Sequence, residues 1–162
     1  DWSSDVCSSD LYQAQEAGIA AVKPGAKFRD FHFAAMRVLA EGLHEMGVLP
    51  VSVDDAMKPD SAVYRRWTVH GTGHMLGMDV HDCARARNEA YAEGILEEGM
   101  VLTVEPGFYI HPDDMLFPAE YRGIGVRIED DILVTKDGAK NLSGAMPRHP
   151  DEIEAWASAL WR

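Results

Sequence analysis

A chain of 162 residues with 46% hydrophobic and 26% charged residues fits one soluble globular domain, burying about two-thirds of the surface that its unfolded chain exposes. Its net charge of −12 repels nucleic acid and anionic membrane surfaces, and no Lys/Arg run offsets it, so neither is expected as a partner. The two cysteines, Cys7 and Cys83, give neither a disulfide framework nor a C-x-x-C metal knuckle; with no bilayer-spanning or signal-like stretch, a reducing, cytoplasmic setting is expected.

Residues 1–10, DWSSDVCSSD, carry four serines and three aspartates with no helical or strand period, and are read as a non-native leader outside the domain at 11–162. Leu11, Ala14, Ile19 and Val22 then share one helical face, and Lys23-Pro24-Gly25 ends that segment. A second helix is predicted from Phe28 to Met46, with Gly47 as its stop, followed by a loop from Pro50 to Pro59. Met100 to Glu105 reads as a strand halted by Pro106-Gly107, and Phe108-Tyr109-Ile110 resumes it. Gly125 to Thr135 gives the longest strand signal, interrupted at Glu129-Asp130-Asp131. The chain closes on a helix with Pro150 in its first turn and Ile153, Trp156, Ala157 and Leu160 as its buried stripe. Strands joined by loops rather than crossover helices indicate an α+β fold, an antiparallel sheet covered by helices.

The stretch VHGTGHMLGMDVHD, Val69 to Asp82, places His70, His74 and His81 within twelve residues. Neutral imidazole ligates transition metals and carries protons near neutral pH, and the glycines let backbone approach what the rings hold. The competing reading is a set of polar residues satisfied by backbone at a tight turn. Glu105 and Glu129 each interrupt a strand where an apolar side chain belongs, and a carboxylate there is costly to bury unless paired or bound to a cation. Taken singly, each is equally a polar residue at a strand end or a solvated bend. With His74 they make a nitrogen and oxygen donor set suited to Mn, Co, Zn or Fe. Arg127, two residues before Glu129 on the same strand face, can compensate its charge or meet a substrate carboxylate, or serve as a surface ion-pair partner. His32 and His44 are read as helix decoration, His111 as a loop residue and His149 as a capping residue. Met75, Met78 and Cys83 are read as core filler.

HGTGHMLGMDVHD, VLTVEPGFYI and YRGIGVRIEDDILVT, in this order and spacing, closely resemble the C-terminal half of the aminopeptidase P (Xaa-Pro aminopeptidase) group of pita-bread metallopeptidases, a family that includes prolidase and methionine aminopeptidase. The resemblance implies a pita-bread fold, with a curved antiparallel sheet and covering helices. It also implies two divalent metal ions, Mn²⁺ first among them, and peptide substrates with proline in second position. By motif, His74 would ligate one metal, Glu105 would ligate that metal and act as general base, and Glu129 would bridge both. His70 and His81 would line the site and Arg127 would support it. The family's other two ligands are aspartates upstream of the first helix seen here. The chain is therefore expected to be an N-terminally truncated fragment, impaired or inactive alone, from a protein that is a homo-oligomer at full length. Alternatives left open are a prolidase-type dipeptidase, a metal-free creatinase-like hydrolase and a non-catalytic binding module.

Overall fold

The computed structural model describes residues 2–83 and 85–161, with side chains from residue 9 onward. Helix α1 (Trp2–Ala21) lies against α2 (Asp30–Glu45). Leu11 and Ala14 of α1 join Ala35, Met36, Leu39, Ala40 and Leu43 of α2 in one buried cluster, the apolar stripe that the sequence predicts for α2. Gly47, at φ +70°, ends α2 in the left-handed conformation that favours glycine. The helical backbone of α1 extends back to Trp2, through residues without an apolar period. Once the packed turns after Leu11 exist, each further residue adds a backbone bond without a new nucleation cost. Between Pro50 and Pro59, the expected loop contains a short helix, α3 (Val53–Ala56), with the Ser52 hydroxyl accepting from the Asp55 N–H at its start.

Five short strands follow: β1 (Val101–Val104), β2 (Gly107–Tyr109), β3 (Gly125–Arg127), β4 (Asp130–Thr135) and β5 (Gly138–Asn141). β1, β4 and β5 form one antiparallel sheet in that order, and β2 and β3 pair antiparallel in another. The sequence reading contains no β5. Its Gly-Ala-Lys-Asn composition has little strand character, and pairing along β4 supplies what propensity does not. On the free edge of β1, residues 72–76 run antiparallel: the N–H groups of Glu105 and Thr103 donate to the carbonyls of Thr72 (2.7 Å) and His74 (2.9 Å), and that of Leu76 donates to Val101 (2.9 Å). Leu102, Val104, Ile132 and Val134 bury one sheet face against Val22, Ala26, Phe28 and Phe31. The other face carries Thr103 and Glu105.

Three packing expectations are corrected. In α4 (Pro150–Leu160) the His149 ring caps the first turn as expected, accepting from the Asp151 N–H, but no residue of the helix is buried. Its intended stripe stands open, with Ile153, Trp156 and Leu160 at 41%, 49% and 60% exposure. Met78 is fully exposed, and Cys83, read as a buried filler, is exposed at φ +56°. Both belong to the run after residue 76, where pairing with β1 ends. No described helix is long and apolar enough to cross a membrane.

Candidate metal centre

Glu105 and Glu129 occupy equivalent breaks in two adjacent strands. Val104 pairs with Asp130, and Gly107 pairs with Arg127 in the same phase, so Glu105 falls opposite Glu129 between the two sheets. The Ile128 N–H donating to the Pro106 carbonyl (3.3 Å) carries the pairing through the break. Like charges directly opposite on one sheet face repel, and Glu105 is 7% exposed. Burying a carboxylate in that position requires a compensating cation.

One cation is Arg127, on the face predicted for it: its guanidinium lies 3.6 Å from Glu105 Oε2 and 3.8 Å from Glu129 Oε2. These are long contacts from a side chain half exposed to solvent, and they leave the second Glu105 oxygen to other partners. Thr103 donates its hydroxyl to Glu105 Oε1 (3.0 Å) and accepts the His74 backbone N–H (3.0 Å), so one hydroxyl fixes both the carboxylate and the segment beside it.

His74 completes the group. Its Nδ1 is 3.0 Å from the Met75 carbonyl, which only accepts, so Nδ1 carries the proton. In the neutral ring Nε2 then presents a lone pair, and it faces Glu105 Oε1 at 3.3 Å. A lone pair set against a carboxylate oxygen is a donor arrangement for a positive ion. One donor atom each from His74, Glu105 and Glu129 lies within 4.8 Å of the others. The residues therefore fit a divalent transition metal in geometry, charge and donor type. Gly73 makes the close approach possible, since a Cβ there would collide with the Thr103 carbonyl.

The other two histidines of the cluster lie on either side. The His81 ring stands edge-on to His74, with centroids 4.4 Å apart, and is exposed. His70 donates from Nδ1 to the Gly71 carbonyl (2.7 Å), so its Nε2 accepts from the Tyr109 hydroxyl (2.7 Å). The three histidines thus do not form a common three-ring site; His74 alone joins the carboxylates.

His32 is not the helix decoration that its position in α2 suggests. Its Nδ1 lies 2.7 Å from the Thr72 hydroxyl and its Nε2 3.4 Å from the Tyr64 hydroxyl. Burial, with the positive charges of Arg65 and Arg29, pushes its pKa down to about 4, so the ring is neutral near pH 7. Thr103, Tyr109, Thr72 and His32 are the residues that sequence reasoning missed. Thr103 was legible in principle, being the polar residue two before Glu105 and hence on the same strand face.

The profile of metallopeptidase family M24 matches residues 8–136. Xaa-Pro aminopeptidase 1 of Streptomyces coelicolor is 64% identical over 150 residues, 93% of this chain and 30% of the relative. Xaa-Pro aminopeptidase of Escherichia coli is 40% identical over 145 residues, 90% of this chain and 32% of the relative. Among solved structures, a Pseudomonas aeruginosa aminopeptidase superposes with a TM-score of 0.87 at 38% identity, over 96% of this chain and 34% of that one. Zinc-substituted E. coli aminopeptidase P in complex with product gives 0.88 at 36% identity, over 98% and 35%. The expected pita-bread architecture, helices on an antiparallel sheet, is therefore present in part, and the chain spans about a third of the length of these relatives. This chain belongs to metallopeptidase family M24.

Proposed function

We propose that the chain is part of a metal-dependent exopeptidase that hydrolyses the bond between an N-terminal residue and a following proline. The observation that carries the reading is the opposition of Glu105 and Glu129 across the strand break, with the lone pair of His74 aimed between them. The substrate class comes from the relatives, which are named Xaa-Pro aminopeptidases and so favour an aminopeptidase over a dipeptidase. His74, Glu105 and Glu129 would hold divalent metal, a pair of ions with Mn²⁺ as the expected element. Such ions supply an activated water and a polarised scissile carbonyl.

The chain's own residues do the rest. Glu105, desolvated and held in place by Thr103, is the base that takes a proton from the attacking water. Arg127 balances the charge of the two carboxylates. His70, locked by Gly71 and Tyr109 into one tautomer, presents a fixed polar edge that orients the peptide. His81, exposed beside His74, exchanges protons with solvent and returns one to the leaving proline nitrogen.

The family resemblance implies five ligands, and three of them converge in this chain. The 162 residues by themselves are therefore expected to cleave an Ala-Pro peptide slowly or not at all with Mn²⁺ present, while still binding the ion. Metal titration followed by a cleavage assay tests both points. Failure to bind Mn²⁺, Zn²⁺ or Co²⁺ would sink the metallopeptidase reading and leave a metal-free, creatinase-like hydrolase or a binding module. We also keep residues 1–10 apart from the catalytic unit on their composition, and place a homo-oligomer and a cytoplasmic setting with the whole protein.

A further inference from the structure

A cleft of about 360 Å³ opens beside the metal centre, between the start of α2, residues 57–65 and residues 68–73. Its floor is aromatic and its polar groups include Arg29, Arg65, Lys58, His32 and His70. None of its sixteen lining residues is Asp or Glu, although 27 of the chain's 162 residues are acidic and the net charge is −12. A cavity lined by three cations and no carboxylate, in so acidic a chain, is complementary to an anion.

The three cations are not equivalent. Arg29 pairs with Glu93 (3.0 Å), and Lys58 with Asp55. Among the described residues no ion pair engages Arg65. Its planar fork is therefore open to bidentate contact with an incoming carboxylate. The same field acts on His32, which Arg65 and Arg29 help to hold neutral. His70 belongs to the cleft and also meets the Tyr109 hydroxyl over Gly107, two residues after Glu105, so the cleft borders the strand that carries the candidate site.

We infer that this cleft receives the part of the peptide beyond the proline and selects for a carboxylate there, with Arg65 as its main contact. The inference rests on the exopeptidase reading for the direction of the peptide, because a free amino terminus would be repelled by this lining. Two sources offer the same chemistry, the C-terminal carboxylate of a short peptide and an acidic side chain at the third position.

Calorimetric titration of the 162-residue chain with Ala-Pro-Leu, its C-terminal amide and Ala-Pro-Glu amide separates these sources. At least one carboxylate-bearing peptide is expected to bind about tenfold more tightly than Ala-Pro-Leu amide, a preference that shrinks as salt rises. Arg65→Gln should remove the preference and Arg65→Lys should keep part of it. Arg65 is exposed, and circular dichroism checks that both variants stay folded. Equal affinities for the three peptides, a preference that survives Arg65→Gln, or no binding of either carboxylate peptide at millimolar concentration would each overturn the inference. Mn²⁺ titration of the same samples reports on the peptidase reading separately. Loss of metal binding alongside intact carboxylate preference would remove that reading and leave the cleft.

Discussion

Residues 72–76 and residues 77–83 belong to the same histidine-rich segment and meet opposite fates. The first is zipped to the edge of β1 by backbone bonds at Thr72, His74 and Leu76, tied to Thr103, and seated on Phe31 at Gly73. The second, residues 77–83, consists of bends and turns, with Met78, Val80, His81 and Cys83 exposed. The proposed ligand His74 is therefore on the zipped side, while His81, the proposed proton carrier, stands against it from the open side. A ligand needs a scaffold that holds it against electrostatic repulsion, whereas a proton carrier needs solvent access.

The most severe break in that contrast is Gly73→Ala. Its Cβ would strike the Thr103 backbone carbonyl, so residues 72–76 must move off β1, and a loss of about 3 kcal/mol in unfolding free energy is expected, together with metal affinity. Urea denaturation checks the first and Mn²⁺ titration the second. Gly71→Ala, where a Cβ meets nothing within 4 Å, is the matched control and should cost far less.

His32 tethers the zipped segment through Thr72, and its folded pKa of about 4 lies below the unfolded value near 6.5. The unfolded chain therefore binds the proton first. The contribution of His32 is complete above about pH 6.5 and disappears as pH falls toward 4. That fall amounts to about 3 kcal/mol at most. Denaturation midpoints measured from pH 7 to pH 4 should show it, and His32→Asn should flatten the curve.

Smaller effects sharpen the contrast. Thr103→Val removes hydrogen bonds to both Glu105 and His74 and should lower stability by about 1–2 kcal/mol and metal affinity by about tenfold. His81→Ala should change stability by less than about 0.5 kcal/mol and leave metal affinity nearly unchanged, since the ring is exposed and outside the donor group. Comparable losses of metal affinity in the two variants would erase the distinction between the regions.

The sequence made the site more legible than its surroundings. Glu105 and Glu129 stood out because a carboxylate inside an apolar strand violates the pattern, and that violation marks the point where the regular ladder between the two stretches is interrupted. Their face-to-face register was not legible, because pairing between distant segments is decided by the whole sheet. The apolar period of α4 correctly signalled a helix but not its burial, since amphipathicity shows that a face can be covered without naming a cover. The position of His32 on a helix suggested solvent, yet Thr72 and Tyr64 come to it from 40 and 32 residues away.

The central claim is that Glu105 and Glu129 face each other because a metal ion belongs between them and His74. Thermal unfolding of wild type and Glu105→Gln, each with and without Mn²⁺, tests it directly. Mn²⁺ should raise the wild-type midpoint, whereas Glu105→Gln should lose that shift and, freed of one of the opposed charges, melt no lower than wild type in the absence of metal. A Mn²⁺ shift that persists in Glu105→Gln, or a metal-free variant that melts well below wild type, would contradict the account.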